Sequence, residues 1–73
     1  MGKWNCEQLN RDALIRAVAR DGRSLRRIVK AAGISYNTGL KLTDPRYGRK
    51  YIRPDTLDKL SRVLDIPREE LIL

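Results

Sequence analysis

Tyr36, Asn37 and Lys41 have types and spacing that suit one chemical task, reading the edges of nucleic-acid bases. An Asn carboxamide pairs bidentately with adenine, and a Lys ammonium donates to guanine. Asn37 and Lys41 lie four apart and share one face if this segment is helical. The Tyr36 ring can lie on a thymine methyl or its hydroxyl can meet a phosphate; the plainer reading is a half-buried surface aromatic. Asn37 also suits an ordinary early-helix position. Around these three stand hydroxyls and cations of the kind that hold phosphates: Ser24, Arg26, Arg27, Ser35, Thr38, Arg46, Tyr47, Arg49, Lys50 and Arg53. Thr38 faces either a phosphate or the preceding helix.

Other chemistry is hard to build from these 73 residues. The chain has no His and a single Cys, so neither a Cys/His nor a Ser/His nucleophilic pair can be assembled, and a His- or Cys-based metal cluster is excluded. No Gly-rich phosphate loop is present. The expectation is a protein that is not an enzyme, with no cofactor, no metal and no small-molecule ligand. Cys6 has no second thiol to pair with and fits a reducing compartment, which points to the cytoplasm and, for a DNA-binding protein, the nucleoid. No apolar run approaches the roughly 20 residues of a membrane span, and the first residues lack the apolar stretch of a signal peptide. Gly2 matches a myristoylation signal poorly, because position 6 is Cys.

Charge narrows the partner. Hydrophobic residues make up 41% of the chain and charged residues 34%, as in a folded domain, yet 16 Lys and Arg face only 9 Asp and Glu. The excess is local. Residues 16–53 hold eleven Lys and Arg against Asp21 and Asp44, whereas residues 1–15 are neutral and residues 54–73 net −2. A basic middle with an acidic tail favours an electrostatic face for a polyanion over simple solvation of helix surfaces. Arg16 and Arg20 are expected to solvate the first helix or pair with acids.

The elements that must position these residues are short helices. Asn10 caps a first helix in which Leu14 and Val18 share a buried stripe, and Asp21-Gly22 ends it. Ser24 caps a second, over Leu25–Ala32, with Ile28, Val29 and Ala32 on its apolar side. Gly33 suits the left-handed residue of a tight turn, Ile34 plugs that turn, and Ser35 caps a third helix running to about Leu42. Residues 44–51 read as a loop. Pro54 starts a fourth helix with Leu57, Leu60 and Leu64 inward and Val63 beside them, Asp65-Ile66-Pro67 breaks it, and Arg68–Leu71 makes a last short turn. The fold class is therefore all-α: a compact bundle of four to five short helices containing a helix-turn-helix, with residues 1–9 as an N-terminal arm and residues 10–73 as the domain. Trp4 is expected to pack on the helical core.

Two short helices meeting at Ala32-Gly33-Ile34, the second capped by Ser35, form the arrangement in which a first helix crosses the DNA backbone and a second enters the major groove. The run Ser24-Leu25-Arg26-Arg27-Ile28-Val29-Lys30-Ala31-Ala32-Gly33-Ile34-Ser35 resembles the helix-turn-helix core of lambda-repressor-like DNA-binding domains. The segment Arg53 to Ile66 is similar to the fourth helix of the Cro/Xre type, and the resemblance covers residues 10–71. Locally, Gly33 to Thr38 is also similar to the lac-repressor family, in which residues matching Tyr36, Asn37 and Lys41 read bases. That family's large sugar-binding domain has no counterpart in this sequence, so the Cro/Xre type is the better match. The chain departs from it at Leu25, where the type often places a phosphate-contacting Gln, and at Gly39, where it usually has a branched aliphatic. Glycine costs about 1 kcal/mol in a helix interior. Either Gly39 permits close helix packing or Leu40 turns inward to fill the gap.

The resemblance implies a sequence-specific double-stranded DNA-binding transcriptional regulator, such as a small phage- or plasmid-type repressor. It also implies either a homodimer on two half-sites or a monomer. The dimer surface would come from Leu71-Ile72-Leu73 or from Trp4 with Leu9. The alternative is a protein-interaction module, an antitoxin or antirepressor, docking through the apolar Leu71-Ile72-Leu73; against this, Leu71 would close the core while the end frays. RNA binding has only Tyr47 and Tyr51 in the basic loop to support it.

Overall fold

The computed structural model describes residues 6–48 and 50–73. Four α-helices carry the fold: α1 (Arg11–Asp21), α2 (Leu25–Ala32), α3 (Tyr36–Thr43) and α4 (Pro54–Leu64). Two 3-10 turns, Pro45–Tyr47 and Arg68–Leu71, complete the helical segments. The chain is thus the small all-α bundle that the patterning predicts.

Three of the four helices begin where a side chain can satisfy a free amide. Asn10 accepts from the Ala13 amide, Ser24 from Arg27 and Ser35 from Thr38. α4 starts instead with Pro54 at its first position, which needs no amide partner, and Asp55 in the first turn opposes the positive end of the helix dipole. Gly22 and Gly33 end α1 and α2 in left-handed geometry. α4 ends the same way on a non-glycine residue, Asp65 at φ 57°; the Asp65 and Ile66 amides then donate to the carbonyls of Arg62 and Ser61. α3 extends one residue past Leu42, to Thr43, whose hydroxyl donates back to the Gly39 carbonyl.

The core is aliphatic. Leu14, Ile28, Leu42, Leu57 and Leu71 are fully buried, one from each helix and one from the last 3-10 turn. α2 sits centrally, against both α3 and α4. Val18 and Ile34 pack at the margin of this cluster. Two arginines tie elements together. Arg11 Nε donates to the Leu42 carbonyl at the end of α3, 3.1 Å away. Arg23 makes a bidentate pair with Asp21 and donates to the Val63 carbonyl of α4, linking the α1–α2 turn to α4.

The chain's ends depart from expectation. Glu7–Gln8 form a strand, β1, antiparallel to β2 (Tyr51–Ile52), so the loop predicted over residues 44–51 closes in sheet pairing. Leu9 is 5% exposed and belongs to the core, hence a boundary drawn after residue 9 falls inside a hydrogen-bonded segment. The Leu73 amide donates to the Gln8 carbonyl and Ile72 bridges Leu9, so the C-terminus is held on the other side of β1 rather than frayed. Leu71 is fully buried and Ile72 half-buried, which leaves Leu73 alone exposed in the expected docking strip. Leu9 likewise offers no dimer surface, and Trp4 lies outside the described residues.

Truncating Leu71 to Ala should cost about 2–5 kcal/mol, the range for a buried leucine, while Leu73→Ala should cost near nothing. Urea unfolding of the two variants reads the difference; equal losses would contradict this account of the terminus.

Candidate nucleic-acid interface

α3 has two opposed faces. Successive residues turn 100° about a helix axis, so Asn37 and Lys41 project within about 40° of each other. Gly39 and Leu42 point the other way and are buried, and both Asn37 and Lys41 are exposed. The pair that could read bases thus stands on the outward side, carried by an inward side locked into the core.

Close packing is what sets that side. A Cβ placed on Gly39 would stand 2.5 Å from Val29 Cγ1 and within 3.6 Å of the Leu25 side chain. Gly39 therefore lets α3 approach α2; Leu40, only half-buried, does not fill the position in its stead. Leu25, where the Cro/Xre type often carries Gln, is half-buried and shares a small apolar pocket with Val29, Gly39 and Leu42. The two departures from the family pattern are one local feature: an apolar first residue of α2 resting on a glycine of α3.

Two hydroxyls at the first turn of α3 engage each other. The Ser35 hydroxyl accepts from the Thr38 amide and lies 2.8 Å from the Thr38 hydroxyl. Thr38 is half-buried and its hydroxyl is engaged with Ser35. Ser24 uses a lone pair on the Arg27 amide and keeps its hydroxyl proton to donate. Tyr36 is half-buried, and the Arg26 guanidinium carbon stands over its ring, 4.3 Å from the centroid.

Cations divide into paired and unpaired groups. On the acidic C-terminal part, Arg62 and Arg68 both reach Asp58, at 3.5 and 3.7 Å. Arg53 lies 3.7 Å from Asp55, both well exposed, so the pair is weak. Arg46 is engaged with Asp44 at 2.8 Å. The hydrogen bond from Arg46 holds the Asp44 carboxyl below the usual carboxylate range, as Arg23 does for Asp21, so both acids stay ionised at neutral pH. Arg27 and Lys30 on α2, Lys41 on α3 and Lys50 are exposed, and among the described residues no carboxylate lies within ion-pairing distance of them. Arg16 and Arg20 are exposed on α1 as the sequence leads one to expect.

The structure therefore brings together Arg26 with Tyr36, Ser35 with Thr38, and Asn37 with Lys41 on one face. Arg46, Tyr47, Lys50 and Arg53 are exposed too, but among the described residues no hydrogen bond or ion pair joins them to the first turn of α3. Arg49 lies outside the described residues. Lys50 is anchored through its backbone carbonyl, which accepts from the Leu9 amide at 2.8 Å. Sequence reasoning missed Arg11 and Asp44: an arginine opening a helix carries no sign of a carbonyl 31 residues away, and Asp44 looks like a bare turn former until Arg46 is seen beside it. The chain matches no protein-family model, no curated protein and no solved structure.

Gly39→Ala should lower stability by up to about 2 kcal/mol, because overpacking against Val29 outweighs the roughly 1 kcal/mol gained in helix propensity. Adding Val29→Ala should cost less in the Gly39→Ala background than in the native chain. Denaturant midpoints of the four proteins measure this coupling; simple additivity would argue against the contact.

Proposed function

We propose that this protein is a sequence-specific double-stranded DNA-binding regulator of transcription that inserts α3 into the major groove. The carrying observation is the outward face of α3, on which Asn37 and Lys41 stand opposite the buried Gly39–Leu42 side. α2 and α3 with the Gly33–Ser35 turn have the element lengths of a helix-turn-helix. In this reading Asn37 pairs with adenine and Lys41 with guanine one turn further along the groove. The unpaired Arg27, Lys30 and Lys50 supply charge for the phosphates, and the Ser24 hydroxyl adds a donor at the start of α2. Arg53 reaches a phosphate by exchanging its weak pair with Asp55.

The likeness to lambda-repressor-like domains of the Cro/Xre type, quoted above on residues 10–71, points the same way. It supports repression by occupancy: a domain covering an operator excludes other proteins from it. It also supports binding as two copies, on half-sites about 34–36 Å apart. A cytoplasmic, nucleoid-associated protein is the matching location; no described helix is long and apolar enough to cross a membrane. The reading requires no catalysis and no cofactor.

Selection from random duplexes would give the preferred site, and titrations on it test the roles. Asn37→Ala and Lys41→Ala should each lose about 1–3 kcal/mol of discrimination at a single base pair. Lys50→Ala should weaken all sequences alike and flatten the salt dependence by about one unit. Unchanged affinity for all three at moderate salt would remove the proposal.

Asp44→Asn makes a complementary test. The amide oxygen can still accept from the Arg46 backbone N–H, as Asp44 does at 3.0 Å, but the charge that holds the Arg46 side chain is gone. Affinity should rise for every duplex and the salt dependence steepen by up to about one unit. A weaker or unaltered complex would place Arg46 away from DNA.

A further inference from the structure

Arg26 differs from the other cations of α2 in having a fixed aromatic support. Arg27 and Lys30 extend from the same outer side of the helix with no side-chain partner among the described residues, while the Arg26 guanidinium stands over the Tyr36 ring, 4.3 Å from its centroid. Among the described residues that ring is its one partner: no acceptor takes any of its N–H groups. A guanidinium on an aromatic face is held by its plane and keeps its donors free at its edge. Stacking also removes part of the rotamer freedom that a long arginine side chain otherwise loses on binding.

Position gives this arrangement a purpose. Tyr36 is the first residue of α3 and directly precedes the exposed Asn37. The supported guanidinium therefore stands at the end of α3 from which a groove would be entered. Its chemistry fits one target there. Two parallel N–H donors match the O6 and N7 acceptors on the major-groove edge of guanine, the commonest specific pairing of an arginine. A phosphate would be served equally well by an unsupported cation, of which α2 already has two.

We propose that Arg26 is a specificity-determining residue that reads a guanine beside the base contacted by Asn37, and that Tyr36 is its positioning residue. This rests on the reading of α3 as a major-groove helix. It moves Arg26 from the phosphate-contacting set to the base-reading set, and it gives Tyr36 a supporting part rather than a base contact of its own.

The experiment uses the full chain and the duplex selected by it, with the four base pairs substituted at each position in turn. Native protein should show a G·C requirement next to the Asn37 position. Arg26→Lys keeps the charge and loses the planar fork; it should lose about tenfold to a hundredfold in discrimination at that pair, with the salt dependence little changed. Replacing that guanine by 7-deazaguanine, which lacks the N7 acceptor, should weaken the native protein and leave Arg26→Lys nearly unaffected. Tyr36→Leu should reproduce the loss at the same pair, Tyr36→Phe should restore it, and Arg26→Lys combined with Tyr36→Leu should be no worse than either alone. In the free protein, the Arg26 Nε–Hε proton should show a ring-current shift that Tyr36→Leu abolishes and Tyr36→Phe retains.

Native-like discrimination by Arg26→Lys would overturn the assignment and leave a phosphate contact. So would a loss from Arg26→Ala spread evenly over all sequences, or the absence of the ring-current shift. Those results leave the DNA reading standing. Failure of the native protein to select any duplex, with the same variants folded, removes the DNA reading itself and is separately recognisable.

Discussion

The approach of α3 to α2 at Gly39 is the constraint on which the rest of the site depends. Eight residues make a helix too short to be stable by itself, so α3 exists only because its inner side is held. Gly39 against Val29 and Leu25 brings the two backbones near, Leu42 enters the core, and Arg11 takes the carbonyl left open at residue 42. Each contact acts on the inner side, yet together they fix which residues look outward. Asn37 and Lys41 are exposed because Gly39 and Leu42 are not. The glycine that costs helix propensity is thus repaid in position.

Charge follows a similar division of labour. The same sequence that concentrates eleven cations in residues 16–53 provides carboxylates close to only some of them. Asp21 holds Arg23 to a structural task, bridging to α4; outside that stretch, Asp58 gathers Arg62 and Arg68. The cations of α2 and Lys41 receive no such partner among the described residues. Surface pairs contribute little stability on their own, so their effect on the molecule is chiefly to decide which positive groups remain available to an external anion. Asp44 is the exception that illustrates the rule. It caps the 3-10 turn through its oxygen and, by staying ionised, withdraws Arg46 from the unpaired set.

Local signals carried most of the fold. Asn10, Ser24, Ser35 and Pro54 announce helix starts, because capping depends on one side chain and amides two or three residues away. Gly22 and Gly33 announce ends for the same reason. What the sequence left open is long-range. The β1–β2 pairing involves two residues on each strand, too few for alternation to be visible, and it joins segments more than forty residues apart. Leu71 against Leu73 could not be decided from three apolar letters in a row: Leu71, in the last 3-10 turn with its carbonyl on the Asn10 amide, is buried, while Leu73, its amide on the Gln8 carbonyl, is exposed. At Gly39 both outcomes were legible and only the distance to Val29 chose between them. The outward face of α3 was readable from i, i+4 spacing, whereas the placement of Arg26 over Tyr36 depends on the angle between two helices and has no local signature.

The proposed base contacts face an arithmetic limit. In the proposed reading Asn37, Lys41 and Arg26, at about 1–3 kcal/mol each, would give one copy about 3–9 kcal/mol of discrimination, the lower part of which falls short of a specific regulator. Specific regulators commonly show about 4–10 kcal/mol, against a genome of competing sites. The surplus of unpaired positive charge does not help, since it strengthens all duplexes equally. Two copies on repeated half-sites would add their discrimination, and that addition needs no large protein–protein surface: among the described residues Leu9 and Leu71 are buried in the core, and the exposed large hydrophobics are Ile15, Tyr47, Tyr51 and Leu73. DNA itself can hold the copies at a fixed distance, so that a weak contact between them acts at high effective concentration. Under the proposed DNA reading, the thin core and the demand for specificity would lead to the same arrangement, a domain that is monomeric in dilute solution and paired on DNA.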